Sequence, residues 1–116
     1  GGPMVAYALR DLEGRLAGGC EARRVTAERV DVSYWVFPAF RRRGYAGRAL
    51  RLLGEAALAV QGVDRLEAHI DADNPASRRV AEGAGFVESG TVEDEAPGGG
   101  VRQRLLYVRP APIRSP

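Results

Sequence analysis

Val36-Phe37-Pro38-Ala39-Phe40-Arg41-Arg42-Arg43-Gly44-Tyr45-Ala46-Gly47-Arg48-Ala49-Leu50 decides how this chain is read. A β-type run stops at a proline, three arginines lead into glycine and small residues, and an apolar-periodic helix follows at once. A helix start offers free N–H groups and the positive end of the helix dipole. Gly44, Ala46 and Gly47 keep side chains out of the way of an approaching anion. The segment points to a ligand that carries a pyrophosphate.

The flanking pattern surrounds this segment with alternating strands and helices. Val30, Val32, Tyr34 and Val36 point one way and Asp31, Ser33, Trp35 and Phe37 the other, so residues 30–37 form a strand that Pro38 ends. Residues 45–60 are helical by period, with Ala46, Ala49, Leu50, Leu53, Ala57 and Val60 on one face and Leu52 and Ala56 widening it. Residues 65–70 alternate again, with Glu67, His69 and Asp71 opposite Leu66, Ala68 and Ile70. Asn74-Pro75 is a helix start, an N-cap side chain followed by proline in the first turn, and Gly85 is its stop. Residues 5–9 and 15–24 are two earlier strands around a turn at Asp11-Leu12-Glu13-Gly14, the second weakened by Gly18 and Gly19. Residues 86–92 and 101–108 are two later ones, joined by an acidic, glycine-rich loop over 93–100. The order is β-β-β-α-β-α-β-β, a mixed α+β sheet covered by helices, with no internal repeat and no second domain.

Composition bounds the function. The 116 residues, 45% of them hydrophobic, suffice for one domain with a real core over residues 1–116. No run approaches a membrane span, no signal peptide is visible, and the single Cys20 has no disulfide partner and no metal-ligand spacing near it, so the cytoplasm is the expected compartment. The net charge is +2 with a pI of about 9.1, and every one of the basic residues is arginine. Those arginines are scattered among acids and the aromatics are few, which argues against nucleic-acid binding. A Walker loop needs a lysine, and this chain has none; a Rossmann fingerprint needs a third glycine after Gly44 and Gly47, and none stands there. Gly1-Gly2-Pro3 reads as the remnant of a cleaved tag and residues 110–116 as a frayed tail.

Four motifs in order resemble the GCN5-related N-acetyltransferases (GNAT, acyl-CoA N-acyltransferase fold), most closely their ribosomal-protein N-terminal acetyltransferase branch. They are Arg41-Arg42-Arg43-Gly44-Tyr45-Ala46, the aromatic strand end Tyr34-Trp35-Val36-Phe37-Pro38, Asn74-Pro75-Ala76-Ser77, and Gly85-Phe86 followed by Glu88-Ser89-Gly90. The resemblance covers residues 5–108 and implies a mostly antiparallel mixed sheet whose strands 30–37 and 65–70 run parallel and splay apart around acetyl-CoA. It implies that pantetheine pairs with backbone near Trp35, Val36 and Phe37, and that the pyrophosphate sits on the N–H groups of about Arg42, Arg43, Gly44, Tyr45, Ala46 and Gly47. Arg41, Arg42 and Arg43 are then available to phosphate oxygens, Asn74 to the pantetheine amides, and Ser77 as the acid toward the CoA sulfur. Ser77 has a second reading as a first-turn serine that satisfies free N–H groups. Family members carry another strand and two helices before residue 5, so the resemblance implies an N-terminally shortened form. Its uncovered sheet surface would favour a homodimer.

The implied activity is transfer of an acetyl group to a primary amine, either a protein N-terminus or a small molecule. The alternative is a non-catalytic CoA-binding module, or a subunit that a dimer partner completes. No metal enters either reading. The base is left open among Asp31, Glu67, His69 and residues 93–95. His69 has an imidazole's suitability for proton transfer, against the reading of a partly exposed histidine on an uncovered face. Tyr34 and Trp35 are expected in the core, as is Cys20.

Overall fold

The computed structural model describes residues 4–41 and 44–112. Strands β1 (Met4–Arg10), β2 (Leu16–Arg24) and β3 (Arg29–Val36) form an antiparallel meander. The 3-10 turn Pro38–Phe40 leads to helix α1 (Tyr45–Leu58), strand β4 (Arg65–Ile70), helix α2 (Pro75–Gly83) and the hairpin β5 (Val87–Glu95) and β6 (Val101–Pro110). The six strands lie in the order β1-β2-β3-β4-β6-β5. Only β3 and β4 run parallel, because α1 carries the chain back between them; every other neighbouring pair is antiparallel. The expected α+β order and the GNAT topology are both present.

The core lies between the sheet and the two helices. Val30, Val32, Leu66, Ala68, Ile70 and Tyr107 face Leu50, Leu53, Leu58, Ala81 and Phe86. Helix α1 buries a stripe rotated slightly from the expected one. Ala46, Leu50, Leu53, Gly54 and Leu58 are inside, whereas Leu52, Ala56 and Val60 face solvent. The helix also stops at Leu58, short of 60. Gly54 allows the close approach: a Cβ there would meet the Arg109 guanidinium at 2.8 Å and Leu66 at 3.0 Å.

Three further differences from the sequence reading have local causes. Residues 93–95 are not loop; Glu93, Asp94 and Glu95 pair with Gln103, Arg102 and Val101 and extend β5, leaving the turn to 96–100. Pro110 ends β6, and the Ala111 N–H donates to the Asp64 carbonyl at 2.8 Å, so the chain is tied down past 110. Trp35 is not in the core. It stands on the face opposite the helices, 44% exposed, with its indole laid over Gly19, where any Cβ would collide with the ring. The two glycines that weaken β2 by propensity thus make room for Trp35; a Cβ at Gly18 would strike its carbonyl. Cys20 is buried as expected, and burial pushes its thiol up, away from reactivity. The expected tag remnant at 1–3 and the end of the tail at 113–116 lie outside the described residues.

Candidate active site

The site begins where the sheet forks. The parallel pairing of β3 and β4 covers Arg29, Val30 and Asp31 against Arg65, Leu66 and Glu67, and then ends although both strands continue. Beyond the fork, strand alternation decides which backbone is free. The Phe37 N–H donates to the Ala17 carbonyl of β2 at 2.8 Å, so Phe37 and, two residues back, Trp35 turn their backbone toward β2. Tyr34 and Val36 turn theirs toward the gap, where no described strand pairs with them. Of the expected trio of Trp35, Val36 and Phe37, only Val36 offers its backbone to the cleft. Its carbonyl accepts a hydrogen bond from Arg41 Nε at 3.2 Å.

The mouth of α1 opens beside this strand end. Gly44 precedes the helix with φ 78 and ψ 7, the left-handed region that favours glycine, and its carbonyl accepts from the Arg48 N–H at 3.1 Å. Tyr45, Ala46 and Gly47 form the first turn. No described side chain caps it, and it holds no acidic residue. Around Gly47 there is open space where a Cβ would stand. Arg15 lies over the Phe40 ring at 5.5 Å, and the Phe40 and Tyr45 rings meet at 6.4 Å, which fixes the approach to the helix. The first turn is therefore an open set of N–H donors at the positive end of a 14-residue helix. Arg42 and Arg43 lie outside the described residues.

On the helix side of the fork, Asn74 caps α2 as expected. Its Oδ1 accepts from the Ser77 N–H at 3.1 Å, which leaves its amide NH2 free to donate. Ser77 Oγ lies 2.9 Å from the Tyr34 hydroxyl, which in turn donates to the Ser77 carbonyl at 2.7 Å. Tyr34 is the hydrogen-bond partner of Ser77 that the sequence did not single out. Alternation places it on the helix face of β3, which was legible; its contact with α2 depends on tertiary packing. Burial raises the Tyr34 pKa, outweighing the opposing hydrogen bond with Ser77, so the hydroxyl stays protonated.

The opposite face of the fork carries a cavity of about 480 Å³ lined by Glu21, Arg23, Asp31, Val32, Ser33, Glu67, His69, Asp94, Glu95 and Arg104. It gathers the candidates for the base. Asp31 is held by Arg29 through two hydrogen bonds of 2.8 and 3.0 Å. Glu67 is buried and accepts from Arg65 Nε at 2.9 Å. Asp31, Glu67 and His69 bring polar atoms within 4.8 Å of one another, but both carboxylates are already neutralised by arginine, so the group is an ion-pair network. His69 Nδ1 lies 3.3 Å from Asp94 Oδ2, and Asp94 is bound by Arg102 and Arg104. Burial works to raise the Asp94 pKa; the hydrogen bonds and charges of Arg102 and Arg104 outweigh it and hold the carboxyl below the ordinary aspartate range.

The sequence of residues 2–87 matches the model of the acetyltransferase (GNAT) domain family, and the chain belongs to that family. Its members use acetyl-CoA as cosubstrate. Among curated proteins none matches. The fold is similar to Mycobacterium smegmatis RimJ in complex with CoA-disulfide, at 27% identity and a TM-score of 0.81, covering 93% of this chain and 53% of that one. It is also similar to Vibrio cholerae spermidine N-acetyltransferase in complex with CoA and spermine (17% identity, TM-score 0.76, 93% and 66%). A third is the aminoglycoside acetyltransferase AAC(6')-Ib in complex with coenzyme A and kanamycin (18%, 0.73, 92% and 66%). The chain thus spans 53–66% of the length of these three.

Proposed function

We propose that this domain transfers an acetyl group from acetyl-CoA to a primary amine, with a protein N-terminus or a small-molecule amine as acceptor. The observation that carries the reading is the fork between β3 and β4, flanked by an open helix mouth and by Asn74 and Ser77. In this reading the pyrophosphate rests on the N–H groups of Tyr45, Ala46 and Gly47 beside Gly44. Arg41, Arg42 and Arg43 pair with phosphate oxygens. Pantetheine runs along Tyr34 and Val36, displacing the Arg41 side chain from the Val36 carbonyl. The Asn74 amide donates to a pantetheine carbonyl, because its oxygen is already taken by Ser77.

The chemistry asks little of the protein beyond position and polarisation. A thiol titrates near ~8.5, so CoA leaves readily as thiolate. An α-amine near ~8 gives up its proton more easily than a lysine near ~10.4, which favours a peptide N-terminus among acceptors. In the free protein Ser77 Oγ donates to the Tyr34 hydroxyl; when that hydrogen turns into the cleft, Ser77 supplies the proton to sulfur. The branch that modifies ribosomal-protein N-termini fits this chemistry and remains the preferred assignment. We place the domain in the cytoplasm; among the described residues no helix is long and apolar enough to cross a membrane. The exposed Val5, Tyr7 and Leu16 on β1 and β2 support a homodimer, which sedimentation at tens of micromolar tests; a monomer there removes it.

Calorimetry with acetyl-CoA, followed by free-thiol release in the presence of amines and peptides, tests the reading. Binding with amine-dependent thiol release supports an enzyme. Binding without release leaves a CoA-binding module, and no binding removes both.

A further inference from the structure

Of the side-chain polar atoms around the fork, His69 Nε2 alone is buried without a hydrogen-bond partner among the described residues. The two other such atoms belong to Arg24 and Arg109, neither of which lines the cavity. A buried nitrogen left unpaired costs stability unless something uses it. Its ring partner stands near a carboxylate: Nδ1 lies 3.3 Å from Asp94 Oδ2. A carboxylate on that side favours the proton at Nδ1, which leaves Nε2 as the acceptor nitrogen. That nitrogen belongs to the residue two past Glu67, which with Asp31 forms the last parallel pair, and it lies on the cavity side of the sheet.

We infer that His69 is the catalytic base of the proposed acetyl transfer and that Asp94 is its positioning residue. The inference rests on the reading given above. The acceptor enters through the cavity as an ammonium and gives one proton to His69 Nε2. The nitrogen lone pair attacks the thioester carbonyl carbon; the C–N bond forms and the C–S bond breaks with its electron pair on sulfur. Ser77 gives its hydroxyl proton to the CoA thiolate and takes the second amine proton in its place, and the imidazolium returns its proton to solvent through the cavity.

The groups around the ring suit this work. Glu67 on β4 stands 3.9 Å from Nε2, already bound to Arg65 and beside Arg29. Asp31 from β3 completes that network. Asp94 and Glu95 come from β5, Arg104 from β6, and Glu21 and Arg23 from β2. Glu67 and Asp31 are acceptors too, but both are committed to arginines, and Glu67 points at Nε2 without reaching it. His69 is the acceptor whose lone pair is not spoken for.

His69 is the only histidine in the chain, so one imidazole signal reports on it alone. The experiment uses tag-free, ¹⁵N-labelled protein. Two-bond ¹⁵N–¹H spectra of the neutral ring are expected to show the Nδ1–H form, and Asp94→Asn to mix the two tautomers. An Nε2–H form in the wild type overturns the dyad, whether or not any acceptor is turned over. The kinetic arm measures thiol release from acetyl-CoA with glycinamide and with spermine as acceptors. His69→Gln is expected to lower kcat at least tenfold at unchanged acetyl-CoA affinity and to abolish the acidic limb of the pH–rate profile. Asp94→Asn is expected to show a smaller loss, with that limb displaced. In His69→Ala, added imidazole is expected to restore part of the rate. A His69→Gln enzyme with the wild-type rate and pH profile overturns the assignment. If the wild type is silent with both amines, acetyl transfer to these acceptors fails as a reading, and the tautomer still decides the Asp94–His69 pair.

Discussion

The Tyr34 hydroxyl and Ser77 exchange two hydrogen bonds, Tyr34 to the Ser77 carbonyl at 2.7 Å and Ser77 Oγ to Tyr34 at 2.9 Å, and so tie β3 to the first turn of α2 across the fork. Tyr34→Phe removes both. The expected cost is about 1 kcal/mol, a Tm lower by about 4 °C. Thiol release is expected to fall several-fold with acetyl-CoA affinity intact, because Ser77 loses the group that orients its hydroxyl. An unchanged rate in a measurably less stable Tyr34→Phe protein would assign the pair to stability alone.

Gly44 holds a left-handed φ of 78 immediately before the helix mouth. Gly44→Glu adds a Cβ in that conformation, at roughly 1–2 kcal/mol, and sets a carboxylate beside the place assigned to the pyrophosphate. Calorimetry is expected to show acetyl-CoA affinity reduced more than a hundredfold while circular dichroism shows the fold retained.

Arg41 covers the Val36 carbonyl in the free protein and is assigned to phosphate in the complex. Binding exchanges a hydrogen bond to a neutral carbonyl for an ion pair with phosphate, and the gain is the difference between the two. Arg41→Ala is expected to weaken acetyl-CoA binding about tenfold and to flatten its dependence on salt. Titrations at two ionic strengths check both.

Asp94 has its carboxyl held below the ordinary aspartate range in the folded chain, burial being outweighed by Arg102 and Arg104. A depressed folded pKa stabilises above the unfolded value, about 3.9, and that contribution is lost as pH falls below it toward the folded pKa. Denaturant titrations are expected to show the wild type losing stability across this acid window more steeply than Asp94→Asn.

Much of this was readable from residues. The alternation in β3 and β4, the Asn74-Pro75 start and the Gly44 entry gave each element its place, because each rests on local chemistry: period, capping and φ. What local chemistry does not encode was missed. Trp35 alternates correctly but lies on Gly19 instead of in the core, because two glycines in a neighbouring strand left a slot for it. Residues 93–95 look like solvated loop, yet their acids meet Arg102 and Arg104 across a hairpin and stay in the sheet. His69 is partly exposed, as its strand position suggested, but its neighbour Asp94, brought from β5, is not visible from its own strand.

The central claim is that the first-turn amides of α1 grip the diphosphate of coenzyme A. Titrating ¹⁵N-labelled protein with CoA tests it most directly. The account predicts that the largest amide shifts fall on Tyr45, Ala46 and Gly47, and that adenosine 3′-phosphate, which carries no phosphate at the 5′ position, leaves them nearly unmoved. Saturable CoA binding that leaves these three amides where they were would contradict it.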